Sequence, residues 1–266
     1  MTSAINGERE WHNRLYSNNQ AAITIPDAVF KRYVHPTNKA LFKLERLFEI
    51  LGDINGKHVL VYGCGDGALP VLFAAKGAIV CGIDISDVAI SRQRERAEHS
   101  VFGPSLNFSV GTVEDLPYRS DCFDIVVGTY ILHHLPDALC VARDELRRVL
   151  KTDGWAVFIE PVLRSRLMPI LRKLFPDSDV SPRERQLTDA DFALFSSLFA
   201  LKEENFDFLG SLNRYIVADE NSSQLRWKIA RSIAQVDAML FKAGFRHLAR
   251  YSMVTMRPII INPAKL

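Results

Sequence analysis

Three glycines alternate with other residues directly after a short apolar run, in the stretch VLVYGCGDG at positions 59–67. Asp84 follows 17 residues after the last glycine and ends a second apolar run. Glycines let the backbone approach a ligand closely, and a helix that follows them presents free N–H groups to it. A carboxylate at the tip of the second strand can accept both hydroxyls of a ribose. These residue types predict one half of a site for an adenosine compound.

The glycine loop alone does not identify the compound. Read as G-x-G-x-x-A, residues 63–68 fit a dinucleotide fingerprint; read as G-x-G-x-G, they fit a turn around a methionine-bearing adenosine. A glycine turn without any ligand is the third alternative. The choice depends on four further motifs: VEDLPY at 113–118, FDIVVGT at 123–129, LHHLPD at 132–137 and LKTDGW at 150–155.

This ordered series, over residues 59–161, resembles the class I S-adenosylmethionine-dependent methyltransferases, specifically the small-molecule group (methyltransferase type 11) that includes the ubiquinone and menaquinone methyltransferases. The resemblance implies methyl transfer to a small organic acceptor, with oxygen favoured over nitrogen or carbon. S-adenosyl-L-methionine would be the cofactor and S-adenosyl-L-homocysteine the product. An NAD(P)-dependent oxidoreductase and a non-catalytic S-adenosylmethionine-binding protein are the alternatives.

The resemblance also implies roles for individual residues. The glycine loop would surround the methionine part of the cofactor, Asp84 would hold the ribose, and the turn after the third strand would form the adenine wall. Either Thr129 or Tyr130 would face the sulfonium, and Tyr16 would contact the cofactor from an N-terminal lid. The cofactor-binding set is Tyr16, Gly63, Cys64, Gly65, Gly67, Asp84, Ile85, Thr112, Val113, Glu114 and Thr129.

Two positions depart from the family pattern. The acid usually found two residues before the first glycine, where it helps to hold the cofactor's ammonium, is Val61 here, and Asp66 or an N-terminal residue is the expected substitute. The usual Asp at the start of the adenine turn is Thr112, which leaves Glu114 or Asp115 as the adenine acceptor.

Three residues just after the fourth strand are the catalytic candidates. His133 or His134, as a neutral imidazole, would act as general base for the acceptor, and Tyr130 would orient it. The alternatives are that the histidines only cap a helix or pack under the turn, and that Tyr130 is a core residue. No metal is expected, because no acids and histidines show ligand spacing along the chain.

The elements that must position these residues follow an α/β rhythm. Strands are predicted at 57–62, 79–83, 106–110, 123–128 and 155–160, with helices at 68–76, 87–99 and 137–151. A further helix within 36–51, a helix from Thr188 to about Phe199, a strand at 201–209, a helix at 221–242 and a last strand at 247–256 complete the pattern. The expected fold is a Rossmann-like, doubly wound, seven-stranded, mostly parallel sheet with helices on both faces and a helical insertion after strand five.

Four regions are expected along the chain: an N-terminal lid at 1–36, the cofactor-binding core at 37–161, a substrate-side insertion at 162–212, and a C-terminal helix with the closing strand at 213–266. A loosely packed leader helix is the alternative for the first region. The insertion interleaves basic and apolar residues over 164–175, which predicts a lid over the acceptor, a surface for anionic lipid, or a solvated helix. The lid is favoured.

Composition limits the partners. The 33 basic and 31 acidic residues give a formal charge of +2, which argues against a nucleic-acid binder and leaves a small-molecule acceptor as the expected partner, with membrane contact not favoured. The dispersed cysteines (Cys64, Cys81, Cys122 and Cys140) are expected to be small buried hydrophobes. A polar, charged N-terminus without signal-peptide character predicts a cytoplasmic protein.

Overall fold

A seven-stranded sheet lies at the centre of the computed structural model, which describes residues 3–18, 23–36, 38–165, 169–170, 173, 181, 183–217 and 219–259. Its strands are β1 (His58–Tyr62), β2 (Ile79–Asp84), β3 (Leu106–Val110), β4 (Phe123–Thr129), β5 (Leu150–Pro161), β6 (Phe199–Phe206) and β7 (Tyr251–Pro258). They lie in the order β3-β2-β1-β4-β5-β7-β6. The first five strands pair in parallel, and β7 is antiparallel to both β5 and β6. The predicted fold class is confirmed.

Helices cover the sheet and its strand ends. They are α1 (Ser3–Asn18), α2 (Asp27–Tyr33), α3 (Lys43–Leu51), α4 (Leu69–Ala75), α5 (Asp87–Glu98), α6 (Leu139–Val149), α7 (Asp189–Phe195), α8 (Asn213–Ile216) and α9 (Gln224–Lys242). Short 3₁₀ turns occur at Gly103–Ser105, Leu132–His134, Leu209–Leu212 and Arg246–Leu248.

The central strands are apolar along their whole length because both faces of the sheet are covered. Side chains alternate between the faces, so that Leu60 and Tyr62 of β1 join one buried cluster and Val59 and Val61 join the other. The direction of chain progression reverses between β1 and β4, which pair in parallel at the middle of the sheet. Ligands of open α/β sheets bind beyond the carboxyl ends of the strands at such a reversal.

Several predicted boundaries shift in the structure. The helix within 36–51 begins only at Lys43, where Glu45 accepts the backbone N–H groups of Leu41 and Phe42. The helix expected to run from Thr188 to about Phe199 ends at Phe195, because Phe199 already pairs with β7. The Asp191 carboxylate accepts the backbone N–H of Thr188 at 2.8 Å, so the helix start is as predicted.

The C-terminal strand was expected to begin at residue 247 and to close the sheet. It begins at Tyr251, because the preceding residues form the 3₁₀ turn Arg246–Leu248. It also lies between β5 and β6, which leaves β6 as the edge strand. Strand β5 begins at Leu150, five residues before the predicted start, since Phe123 of β4 already pairs with Leu150.

Most of the basic–apolar segment of the insertion lies outside the described residues, including Arg166, Leu167, Met168, Leu171, Arg172, Leu174 and Phe175. Arg164 is described, and its side chain is only 3% exposed. It donates to Asp189, Asn205 and Ser252, so it ties the start of the insertion to α7 and to the antiparallel edge of the sheet. Arg164 therefore has a structural role and offers no charge to a lipid surface.

Among the described residues, no helix is both long and apolar enough to cross a membrane. The described cysteines are all free; Cys64 is buried as predicted, whereas Cys140 is exposed, so the expectation of a buried hydrophobe is wrong there.

Candidate functional site

A cleft of about 480 Å³ lies beyond the carboxyl ends of β1, β2 and β4. A narrower hollow of about 50 Å³ adjoins it, and the two share walls at Gly63, Asp84 and His134. The other predicted residues in the walls of the cleft are Tyr16, Cys64, Gly65, Gly67, Thr129, Tyr130 and His133. Those of the hollow are Ile85, Thr112, Val113 and Glu114. The fold thus brings every sequence-predicted site residue to one crevice.

The glycine loop needs glycine at two of its three positions. Gly63 has φ of 71°, and a Cβ there would lie 2.8 Å from the Ile131 side chain. Gly65 has φ of 50°, and its Cβ would lie 2.9 Å from the Tyr16 hydroxyl. Backbone with positive φ strains any residue that carries a Cβ. Gly67 has neither constraint, because a Cβ there would meet no atom within 4 Å.

Helix α5 holds this loop from the side of the protein. The Gln93 side-chain amide donates to the carbonyl oxygens of Gly65 at 2.9 Å and Gly67 at 2.8 Å. Arg96 donates to the carbonyl oxygen of Asp66 at 2.7 Å. These hydrogen bonds fix the loop carbonyls to α5. Gln93 and Arg96 are functional supports that the sequence reading missed.

Asp84 lies at the tip of β2 and is buried. One carboxylate oxygen accepts the backbone N–H of Gly65 at 2.8 Å, and the other accepts that of Ser86 at 2.9 Å. Burial raises the pKa of Asp84, while these two backbone N–H groups act in the opposite direction. Each oxygen keeps a lone pair for a further donor. The carboxylate therefore fixes the loop and remains able to accept two hydroxyl groups.

The turn after β3 forms the wall of the hollow. The Thr112 hydroxyl donates to Glu114 Oε2 at 3.0 Å, so the two side chains orient each other. The Tyr62 hydroxyl donates to the Val113 carbonyl oxygen at 2.9 Å from beneath. Glu114 lines the hollow, whereas Asp115 lines neither the hollow nor the cleft. Of the two acids proposed as the adenine acceptor, the geometry favours Glu114.

The two departures from the family pattern have visible consequences. Val61 is buried within the sheet and lines neither the cleft nor the hollow. Asp66, the expected substitute, does line the cleft, and its carboxylate pairs with Arg92 at 2.9 Å. A carboxylate is therefore present beside the glycine loop, although it comes from the loop itself and not from β1.

A buried acid that the sequence reading overlooked organises the residues after β4. Glu160, at the end of β5, is 0% exposed. It accepts the backbone N–H groups of Ile131 and Leu132 at 3.0 and 2.9 Å, and its second oxygen lies 2.8 Å from His133 Nδ1. When Nδ1 carries the proton of this contact, Nε2 of His133 is an acceptor. The signal in the sequence that could have identified Glu160 is an acidic residue at the end of an apolar, strand-forming run.

His134 has different surroundings, although its ring centre lies 4.1 Å from that of His133. Its Nδ1 is 2.8 Å from Glu8 Oε1 of α1 and 3.1 Å from the Ser181 hydroxyl. Burial lowers the pKa of His134, while its hydrogen bond to Glu8 acts in the opposite direction. Glu8 is a further residue that sequence reasoning missed, because 126 positions separate it from His134.

Tyr130 faces the cleft and is 38% exposed, so it is not a core residue. Its ring meets that of Tyr251 edge-on at 5.5 Å. Lys43 lies 4.5 Å above the Tyr251 ring and pairs with Asp207. These contacts join the tip of β4 to α3 and to the start of β7, so this side of the cleft combines the middle of the sheet with its antiparallel part.

Helix α1 lies across the crevice. Trp11, His12 and Tyr16 are part of the cleft wall. Asn13 accepts from the Ser86 hydroxyl at 2.6 Å and donates to Asp87 at 2.7 Å, which attaches α1 to the start of α5. The structure thus places the N-terminal helix where a lid would be.

A larger hollow, of about 620 Å³, lies between α2, α3 and α9. It contains none of the predicted site residues. Arg32 lies there over the Trp227 ring at 4.4 Å. It forms ion pairs with Glu45 and Glu220, so two carboxylates already balance its positive charge. The position of the predicted residues, and not cavity size, identifies the functional crevice.

Comparison with known proteins agrees with this architecture. Residues 60–158 match a methyltransferase domain. The ubiquinone biosynthesis O-methyltransferase of Nitrosomonas europaea is 34% identical over 134 residues, which is 50% of this chain and 54% of that protein. The corresponding enzyme of Bordetella avium is 32% identical over 134 residues, 50% of this chain and 53% of its own. The chain spans about half the length of the curated relatives it matches.

Among solved structures, the geranyl diphosphate C-methyltransferase of Streptomyces coelicolor, in complex with Mg²⁺, geranyl diphosphate and S-adenosyl-L-homocysteine, superposes with a TM-score of 0.60. It is 14% identical, and the match covers 97% of this chain and 98% of that one. At this identity the likeness shows the fold. The likeness of fold extends over nearly the full length of both chains.

The glycine loop gives a stability prediction with an internal control. We expect Gly63→Ala to lower the free energy of unfolding by about 1–3 kcal/mol, because the new methyl group meets Ile131 at positive φ. Gly67→Ala, in the same loop but in open space, should change it by less than about 0.5 kcal/mol. Chemical denaturation of both variants is the measurement. Equal stability of the two variants would contradict the assigned loop geometry.

Proposed function

We propose that this chain, whose residues 60–158 match a methyltransferase domain, transfers a methyl group from S-adenosyl-L-methionine to an oxygen atom of a small organic acceptor. The observation that carries the proposal is the position of Asp84. It is a buried carboxylate at the tip of β2, bound to the glycine loop that follows β1, next to the reversal of chain progression between β1 and β4. The relatives' role in O-methylation supports oxygen as the methylated atom.

The residues of the crevice fit such a cofactor. Asp84 would accept the ribose hydroxyls, Glu114 and the Val113 backbone would meet the adenine, and Ile85 would cover its face. The loop carrying Gly63, Cys64, Gly65 and Gly67 would surround the methionine part, with Thr129 near the sulfonium. Tyr16, whose hydroxyl approaches Gly65, would close the crevice from α1. When bound, the cofactor supplies an electrophilic methyl group on sulfur.

The protein's own contribution is to position an acceptor and to remove its proton. His133 lies in the cleft wall, and Glu160 orients its ring. Its Nε2 would take the proton of an acceptor hydroxyl, while the buried Glu160 carboxylate stabilises the imidazolium that forms. Without its proton, the acceptor oxygen would be the nucleophile toward the methyl group that the cofactor supplies, and S-adenosyl-L-homocysteine would be the leaving group. We assign His133 as the base and give His134 no part in proton transfer.

Tyr130, which also lines the cleft, would orient the acceptor. Its phenol faces the cleft, and its ring is held against Tyr251. The aromatic pair suits a planar acceptor, which can lie against the rings while His133 meets its hydroxyl. A cytoplasmic location, a lid role for the described part of the insertion and the four-region division of the chain remain predictions.

The cofactor class is the first point to test. We expect S-adenosyl-L-homocysteine to raise the melting temperature of the protein, since a ligand that binds only the folded state stabilises it by mass action. NADH at the same concentration should leave the melting temperature unchanged. Stabilisation by NADH alone would favour the oxidoreductase alternative. Stabilisation by S-adenosyl-L-homocysteine without label transfer to any acceptor would favour a binding protein.

Replacement of Asp84 tests the ribose contact. We expect Asp84→Asn to weaken S-adenosyl-L-homocysteine binding at least about tenfold, because hydrogen bonds to a charged acceptor contribute roughly 1.5–3 kcal/mol. Isothermal titration calorimetry measures the affinity, and circular dichroism checks that the variant is folded. Asp153→Asn, at an exposed position in β5, is the matched control and should bind like the parent. Parental affinity in folded Asp84→Asn would refute the assignment.

Replacement of His133 tests the base. We expect His133→Ala to lower methyl transfer by about 10²–10⁴-fold without changing cofactor affinity. Glu160→Gln should lower it as well, because an amide N–H directed at His133 Nδ1 favours the tautomer with the proton on Nε2, the atom assigned as the base. The assay follows label from methyl-labelled S-adenosylmethionine into the small-molecule fraction of a cell extract. His99→Ala, at an exposed position, is the control, and undiminished transfer by His133→Ala would remove this histidine as the base.

A further inference from the structure

Three side chains meet where α1 crosses the turn after β4. Glu8 and His12 belong to α1, and His134 belongs to the 3₁₀ turn Leu132–His134. One potential ligand atom from each lies within 4.8 Å of the other two. We propose that Glu8, His12 and His134 bind a divalent transition-metal ion, with zinc as the best match, and that the ion fastens α1 over the crevice. This proposal does not depend on the proposed methyl transfer.

The geometry of α1 suits two ligands on one face. Glu8 and His12 are four residues apart, and side chains at this spacing lie above one another on a helix. His12 Nε2 is 3.4 Å from Glu8 Oε1, and His134 Nδ1 is 2.8 Å from the same oxygen. The sequence reading overlooked this Glu-x-x-x-His spacing, and only the fold adds His134.

A buried atom at the centre of the cluster is not satisfied. Glu8 is only 7% exposed. Its Oε1 receives the contacts to His134 and Ser181, but its Oε2 is buried and has no hydrogen-bond partner among the described residues. A buried carboxylate oxygen without a partner is costly. A cation at this position would satisfy it.

The donor atoms indicate the class of metal. Two imidazole nitrogens and one carboxylate oxygen favour zinc and its neighbours in the first transition row, whereas magnesium and calcium prefer oxygen ligands alone. The Ser181 hydroxyl lies 2.9 Å from Glu8 Oε1 and 3.1 Å from His134 Nδ1, where it supports both ligands from outside. Three protein ligands leave one tetrahedral position open, toward a crevice whose walls include all three residues.

A second combination, His133, His134 and Glu184, also lies within the same distance limit. The two residues that are specific to this set already have hydrogen-bond partners. His133 Nδ1 contacts Glu160, and Glu184 accepts the backbone N–H of Ser181. Glu184 is also less buried than Glu8. The unsatisfied oxygen of Glu8 therefore favours the set that includes α1.

The test is a metal titration of the full chain after removal of bound metal with a chelator. Cobalt(II) serves as the spectroscopic probe, because its visible absorption reports a site of low coordination number, and zinc is then added to displace it. We expect saturation at one cobalt per chain, displacement by zinc, and a zinc-dependent rise in melting temperature. Absence of a saturable cobalt spectrum in the folded parent protein would overturn the proposal.

Variants identify the ligands. Glu8→Gln, which keeps the size of the side chain, and His12→Ala, at the less buried ligand, should each weaken cobalt binding at least about tenfold. Glu10→Gln, at an exposed position of the same helix, is the matched control and should bind cobalt like the parent. If folded Glu8→Gln bound cobalt like the parent and Glu184→Gln lost cobalt binding, the proposed ligand set would be refuted. Since the readout is metal binding, failure here leaves the methyl-transfer tests independent.

Discussion

Buried carboxylates at the ends of two central strands hold the crevice together. A buried carboxylate needs hydrogen-bond donors, and at a strand end the nearest donors are the backbone N–H groups of the neighbouring loop. Asp84 of β2 takes them from Gly65 and Ser86, and Glu160 of β5 takes them from Ile131 and Leu132. Each acid thereby fixes a loop that belongs to an adjacent strand. Asp84 itself also lines the cleft, and Glu160 orients His133, which lines it too.

The sequence determines some of these features locally and others only through the fold. The parallel core was predictable, because its strands are continuous apolar runs with glycine or polar turns after them, and Asp84 ends such a run. Glu160 ends one too, but its partner His133 is 27 residues away and the pairing depends on β4 and β5 being neighbours. The position of β7 between β5 and β6 could not be predicted for a similar reason, since antiparallel order has no local signal.

Helix α1 is attached to the crevice by a different kind of contact from the rest of the fold. Within the described part of the chain, neither buried apolar cluster includes a residue of α1. The helix is held by the Asn13 contacts to α5, by the Glu8 contacts to His134 and Ser181, and by rings over the glycine loop. The packing of the two apolar clusters therefore does not depend on α1, and the attachment of this helix rests on polar and aromatic contacts.

The adjacent histidines after β4 consequently belong to two different parts of the molecule. His133 is bound to Glu160 in the middle of the sheet, which gives its ring a fixed orientation suited to proton transfer. His134 is bound to Glu8 on α1, and within the described chain this helix contributes no residue to either buried apolar cluster. A general base needs a constant geometry relative to its substrate, which favours the histidine that the sheet holds. The proposed base and the proposed metal ligand thus have separate carboxylate partners, so the two proposed roles rest on different contacts.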